Sequence, residues 1–119
     1  MENRTKKIVL LNENEEWEKV QNDNTYSELI IFKFSPYCSI SYRAEKIFRH
    51  WFDGINEEKN IIGAKVNVIS AKSVSGKIAE DLRIEHESPQ VIWLDSEGNV
   101  KWTASHFEIT EKSLNSNLS

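Results

Sequence analysis

The chain holds one cysteine, two prolines and four glycines in 119 residues. A single cysteine excludes an internal disulfide, a multi-cysteine zinc site and dithiol exchange of the CxxC kind within the chain. So little proline and glycine leaves no linker that would separate one domain from another, and there is no repeat or low-complexity tract. Typical domains have about 100–150 residues, so one domain with one core is expected over residues 1–119. No stretch approaches the ~20 apolar residues of a membrane span. The opening MENRTKKIVLLNENEE has only a short apolar run, without the longer apolar region and small-residue cleavage site of a signal peptide. Charge of one sign is missing as well. The 15 basic and 19 acidic side chains are interspersed, with a net charge of −4, which argues against a general nucleic-acid binder. A cytoplasmic protein with no nucleic-acid or membrane partner is the expectation.

What is present suits a globular fold. The chain is 39% hydrophobic and 29% charged, and four Trp, five Phe and three Tyr supply bulk for a core. Lys7 to Leu11 reads as a short strand, followed by a polar helix to about Gln21, capped by Asn12 or Asn14 and burying Trp17 and Val20. Leu29 to Phe34 is rich in β-branched and aromatic residues, as a buried strand should be. Ile40, Ala44, Ile47, Phe48 and Trp51 then recur on a single helical face, with Gly54 as the stop. Ala64 to Ile69 alternates like a strand. Val74, Ile78 and Leu82 form a second helical stripe, with Ser73 or Ser75 as cap. Val91 to Leu94, the turn Asp95 to Asn99 and Val100 to Thr103 make a hairpin, and Ile109 to Leu118 a last helix. The order β-α-β-α-β-α-β-β-α predicts an α/β fold with a mixed central sheet and helices on both faces. It is the order of a thioredoxin-like fold.

Cys38 falls in the loop between the second strand and the most regular helix, at or next to that helix's first turn. Free backbone N–H groups and the helix dipole there favour an anion, and the thiolate is the nucleophilic form of cysteine. A lone cysteine is more often a buried small hydrophobe; its position here shifts the reading toward a reactive thiol. A dithiol enzyme carries its second cysteine where Ser41 stands. The Ser41 hydroxyl could donate to the thiolate or bond to backbone instead, and both readings stay open. Pro89 lies just before the fourth strand, where a cis bond would turn the backbone of Ser88 toward Cys38; base rates favour trans.

Three stretches carry a family resemblance: Phe32-Lys33-Phe34-Ser35-Pro36-Tyr37-Cys38-Ser39-Ile40-Ser41, His86-Glu87-Ser88-Pro89-Gln90, and Ala104-Ser105-His106. In this order they resemble the YtxJ family of thioredoxin-like proteins, the monothiol bacilliredoxins. That family usually has proline directly after the cysteine, where this chain has Ser39, and a Thr-rich approach where it has Pro36-Tyr37. The resemblance implies removal of bacillithiol, a small thiol built from cysteine, glucosamine and malate, from S-thiolated cytosolic proteins. Cys38 would be the attacking residue, with Ser41 and Ser39 supporting its thiolate. Ser88, Pro89, Tyr37, Lys33, Ser105 and His106 are the substrate-binding candidates. Lys33 and Arg43 would give a cationic rim for the malate carboxylates, or remain solvated surface charges, and His106 would bind there or cap the final helix. His86 and His50 read as surface residues. Bacillithiol is implied as co-substrate with no bound cofactor, no metal site has the required spacing, and the protein is expected to be a monomer. Two other classes are kept: a non-catalytic binding module docking partners at the Pro89 edge, and iron–sulfur carriage as in some monothiol glutaredoxins.

Overall fold

The computed structural model describes residues 8–55 and 57–118. Lys7, the expected start of the first strand, lies outside the described residues. Five strands, β1 (Ile8–Leu10), β2 (Glu28–Phe34), β3 (Ile61–Asn67), β4 (Gln90–Leu94) and β5 (Val100–Ser105), join one sheet in the order β1-β3-β2-β4-β5. β1, β3 and β2 run parallel, β4 is antiparallel to β2, and β5 to β4. Between them lie α1 (Asn14–Gln21), α2 (Ser39–Gly54) and α3 (Lys72–Leu82), with α4 (Glu111–Asn115) at the end. This is the predicted element order, and the thioredoxin-like α/β fold.

β2 is buried from Leu29 through Lys33 because it lies between β3 and β4 and is covered on both faces. Its side chains alternate. Ile30 and Phe32 enter the core under α2 and α4, whereas Leu29 and Ile31 enter the core under α1 and α3. The first core is aromatic: Phe48 stacks on Phe32 with centroids 5.2 Å apart, and Trp51 meets Trp93 edge-on at 5.6 Å. α2 packs so close to β3 that a Cβ at Gly63 would stand 3.3 Å from the Phe52 ring. Each helix pair is stitched by an indole. Trp51 donates to the Asn115 Oδ1 at 2.8 Å, linking α2 to α4, and Trp17 donates to the Asp81 Oδ2 at 2.8 Å, linking α1 to α3.

Several boundaries differ from expectation. β3 starts at Ile61 and stops at Asn67, whose side-chain oxygen accepts from the amides of Ile69 and Ser70 (2.9 and 3.1 Å) and turns the chain there. Neither Asn12 nor Asn14 caps α1. Its N-cap is Glu13, and the Glu16 carboxylate reaches back to the amides of Asn12 and Glu13 at 2.7 and 2.9 Å. α3 begins after Ala71, so neither Ser73 nor Ser75 is its cap. The last helix is shorter than the expected Ile109 to Leu118: after a 3₁₀ turn at His106–Glu108 the chain forms α4 only over Glu111–Asn115, starting where Thr110 caps it by accepting from the Ser113 N–H at 3.0 Å.

Candidate active site

The aromatic stripe of α2 pins that helix against β2, so the short Ser35-Pro36-Tyr37 loop delivers Cys38 to the helix N-cap. Cys38 is extended there (φ −114°, ψ 125°), its N–H donating to the Ser35 carbonyl at 3.3 Å and its carbonyl accepting from Tyr42 at 3.0 Å. The side chain is partly exposed. The backbone N–H of Ser41, then that of Ile40, and finally the Ser41 hydroxyl hold the thiol pKa below its ordinary value, against desolvation. This is the helix-terminus effect on an anion, delivered by two particular amides. Ser41 is buried, and its Oγ also accepts from the Ser35 N–H at 3.1 Å. The two readings of Ser41 are therefore compatible: it accepts from the loop backbone while its own proton is free for the sulfur. Ser39 is exposed at the first helical position, and the thiol is stabilised through Ile40 and Ser41 rather than through it. Ile40 enters through its backbone alone, so its side-chain identity could not mark it.

Gln90 pairs with Lys33, which places Pro89 at the end of the sheet from which the Cys38 loop departs. The Ser88–Pro89 bond is cis. β5 runs beside this point: Ser105 pairs with Gln90, the His106 N–H donates to the Pro89 carbonyl at 3.0 Å, and the His106 Nε2 lies 3.5 Å from the Glu87 carboxylate. His106 takes a left-handed backbone (φ 54°) to make that turn and does not cap α4, a role held by Thr110. Ser88, Pro89, Ser105 and His106 are thus one cluster. The Ser88 Oγ is buried without a hydrogen-bond partner among the described residues.

Tyr37, next to Cys38, is 86% exposed. Arg43 stays at the surface with its guanidinium 5.8 Å from the centroid of Phe107, an exposed ring that sequence reasoning missed. Only contiguity with His106 could have suggested Phe107. Lys33 does not fit its expected place. Neither a rim cation nor a solvated charge, it is fully buried on the α3 side of β2, its ammonium donating to the Ser75 carbonyl at 3.0 Å and lying 3.3 Å from the His86 Nδ1. The strand alternation that sends Phe32 toward α2 sends Lys33 the other way. Burial pushes the Lys33 pKa down to about 8. His86 and His50 are both exposed, as expected, although the Nδ1 of His86 turns inward. Among the described residues no group of His, Cys, Asp or Glu could hold a metal ion, and no helix is long and apolar enough to cross a membrane.

Comparison with known proteins gives the same frame. The family described as "Monothiol bacilliredoxin BrxC" matches residues 9–114. A solved structure described by its thioredoxin fold and proposed oxidoreductase character is 25% identical, with a TM-score of 0.79 over 94% of each chain. Thioredoxin from Fasciola hepatica is 17% identical with a TM-score of 0.72, covering 92% of this chain and 95% of its own. Thioredoxin from Malassezia sympodialis is 13% identical with a TM-score of 0.71, covering 99% and 93%. Those two likenesses concern the fold alone.

Proposed function

The chain belongs to the monothiol bacilliredoxin family, and from that premise we propose that it removes bacillithiol from S-thiolated cytosolic proteins through a Cys38 mixed disulfide. Family and fold support a thiol-oxidoreductase function. The observation that carries the finer reading is Cys38 itself: a lone, partly exposed thiol at the N-cap of α2, its pKa lowered by the amides of Ser41 and Ile40. The Cys38 thiolate attacks the bacillithiol sulfur of a protein–bacillithiol disulfide. That S–S bond breaks, the electron pair leaves with the protein thiolate, and Cys38–S–S–bacillithiol forms. With Ser41 where a second cysteine would stand, the chain cannot expel the adduct alone. A second bacillithiol thiolate attacks the adduct at the bacillithiol sulfur, releasing bacillithiol disulfide and the Cys38 thiolate. Ser88, Pro89, Ser105, His106 and Tyr37 would form the docking rim.

The test is intact-protein mass spectrometry after addition of oxidised bacillithiol. One bacillithiol per chain is expected on the wild type, stable until reduced bacillithiol is added, and none on Cys38→Ala. A wild type without adduct, or an adduct that survives Cys38→Ala, would overturn the reading.

A further inference from the structure

Among the described residues, Lys33 is the only charged side chain that is buried, and the exchange chemistry has no use for it. Its ammonium meets the Ser75 carbonyl and the His86 Nδ1, and neither is a carboxylate. Burying an ammonium without a counter-charge carries a desolvation penalty that a well-packed apolar residue would spare. Methionine would fill much the same space with no charge to desolvate. What the lysine supplies is a junction. Ser75 belongs to α3, and His86 lies in the segment between α3 and β4, three residues before Pro89. The Ser75 hydroxyl also faces the His86 Nδ1 at 3.3 Å. Gln90, opposite Lys33 in register, donates to the Glu85 carbonyl at 3.1 Å. The segment from Glu85 to Pro89 is therefore held from β2, α3 and β4 on its inner side, and by His106 on its outer side.

We propose that Lys33 is a positioning residue: through His86 its ammonium sets where the Glu85–Pro89 segment stands at the sheet end that carries Cys38, and so governs docking of the mixed disulfide without touching the sulfur. The docking consequence rests on the exchange reading above; the placement of the segment does not. The groups that stabilise the Cys38 thiolate are Ser41 and Ile40, so Lys33 acts on the other half of the site. The junction needs a neutral imidazole, because only an unprotonated Nδ1 accepts from an ammonium. Desolvation and then the Lys33 charge hold the His86 pKa below its ordinary value, and Glu87 pulls it the other way; Ser75, from α3, faces it with a neutral hydroxyl.

The test compares wild type with Lys33→Met and His86→Asn, the latter keeping an acceptor at the δ position that cannot titrate. In Lys33→Met, KM for an S-bacillithiolated protein should rise about tenfold, with kcat and the pH midpoint of Cys38 alkylation unchanged. The His106 amide, which donates to Pro89, should exchange with solvent faster, and the imidazole titration of His86 should move up. Protonation of His86 at acid pH should raise the wild-type KM, and His86→Asn should keep a near-wild-type KM without that rise. Wild-type KM and His106 protection in Lys33→Met would overturn the proposal, as would a loss matched by a shifted thiol midpoint. Should Lys33→Met not fold, His86→Leu, which removes the acceptor at an exposed position, must reproduce the KM rise and the faster His106 exchange; wild-type values there would overturn it equally. If the wild type shows no exchange, the reading of function falls while the His106 amide still decides the placement.

Discussion

The two faces of the sheet are built differently, and the difference divides the labour of the site. Under α2 and α4 the core is aromatic and apolar: Phe32, Phe48, Trp51, Phe52 and Trp93 pack ring against ring. Under α1 and α3 it is mostly aliphatic around Trp17, and at the end nearest the site it contains Lys33, Ser75 and Gln90. The apolar face anchors α2, whose first amides set the state of the thiol, and gains its strength from burial and ring contact. The polar face anchors the Pro89 segment by directed hydrogen bonds, which contribute less to stability and more to placement.

Substitutions on the two faces should therefore differ in size and kind. Phe48→Ala is expected to cost about 3–5 kcal/mol in urea unfolding, since it empties the centre of the ring cluster. Lys33→Met should cost nothing and is expected to raise stability by about 1–4 kcal/mol, because it removes a desolvated charge while keeping the volume. A Lys33→Met loss as large as that of Phe48→Ala would erase the contrast. The sign of the pH effect sharpens it. Lys33 titrates at about 8 in the folded chain against 10.5 for the free side chain, so between these values the unfolded chain holds more protons. Wild-type stability should rise over that window relative to Lys33→Met. Parallel midpoints for the two proteins across it would contradict a buried ammonium. The smallest effects belong to the indole bonds. Asn115→Ala should cost about 1 kcal/mol independent of acid pH. The bond from Trp17 lowers the Asp81 pKa, so its contribution should be present above the ordinary Asp value and fade as the pH falls through the folded one. Asp81→Ala should remove that acid-dependent contribution, measured as the difference in unfolding midpoint between neutral and acid buffers.

How much of this was legible in the sequence follows the physics of each element. The element order could be read because hydrophobic period is written directly into segments such as Leu29 to Phe34 and Ile40 to Trp51. The place of Cys38 could be read because it stands between two such segments. The caps could not, because Glu16 and Thr110 won through side-chain geometry that several neighbours could have supplied. The burial of Lys33 was hidden because its charge outweighs its alternation in the reading; its neighbours Phe32 and Phe34 already fixed the face on which it had to lie. Phe107 and the Ile40 amide were out of reach, the first defined by a tertiary contact and the second by backbone alone.

The central claim is that Cys38 is kept reactive by the start of α2. The most direct measurement is the pH dependence of its alkylation, compared between wild type and Ser41→Ala. The wild-type midpoint should lie below that of an ordinary thiol, and Ser41→Ala should raise it partially, since the Ser41 hydroxyl is lost while the amides at positions 41 and 40 remain. A wild-type midpoint at or above the ordinary value would contradict the claim.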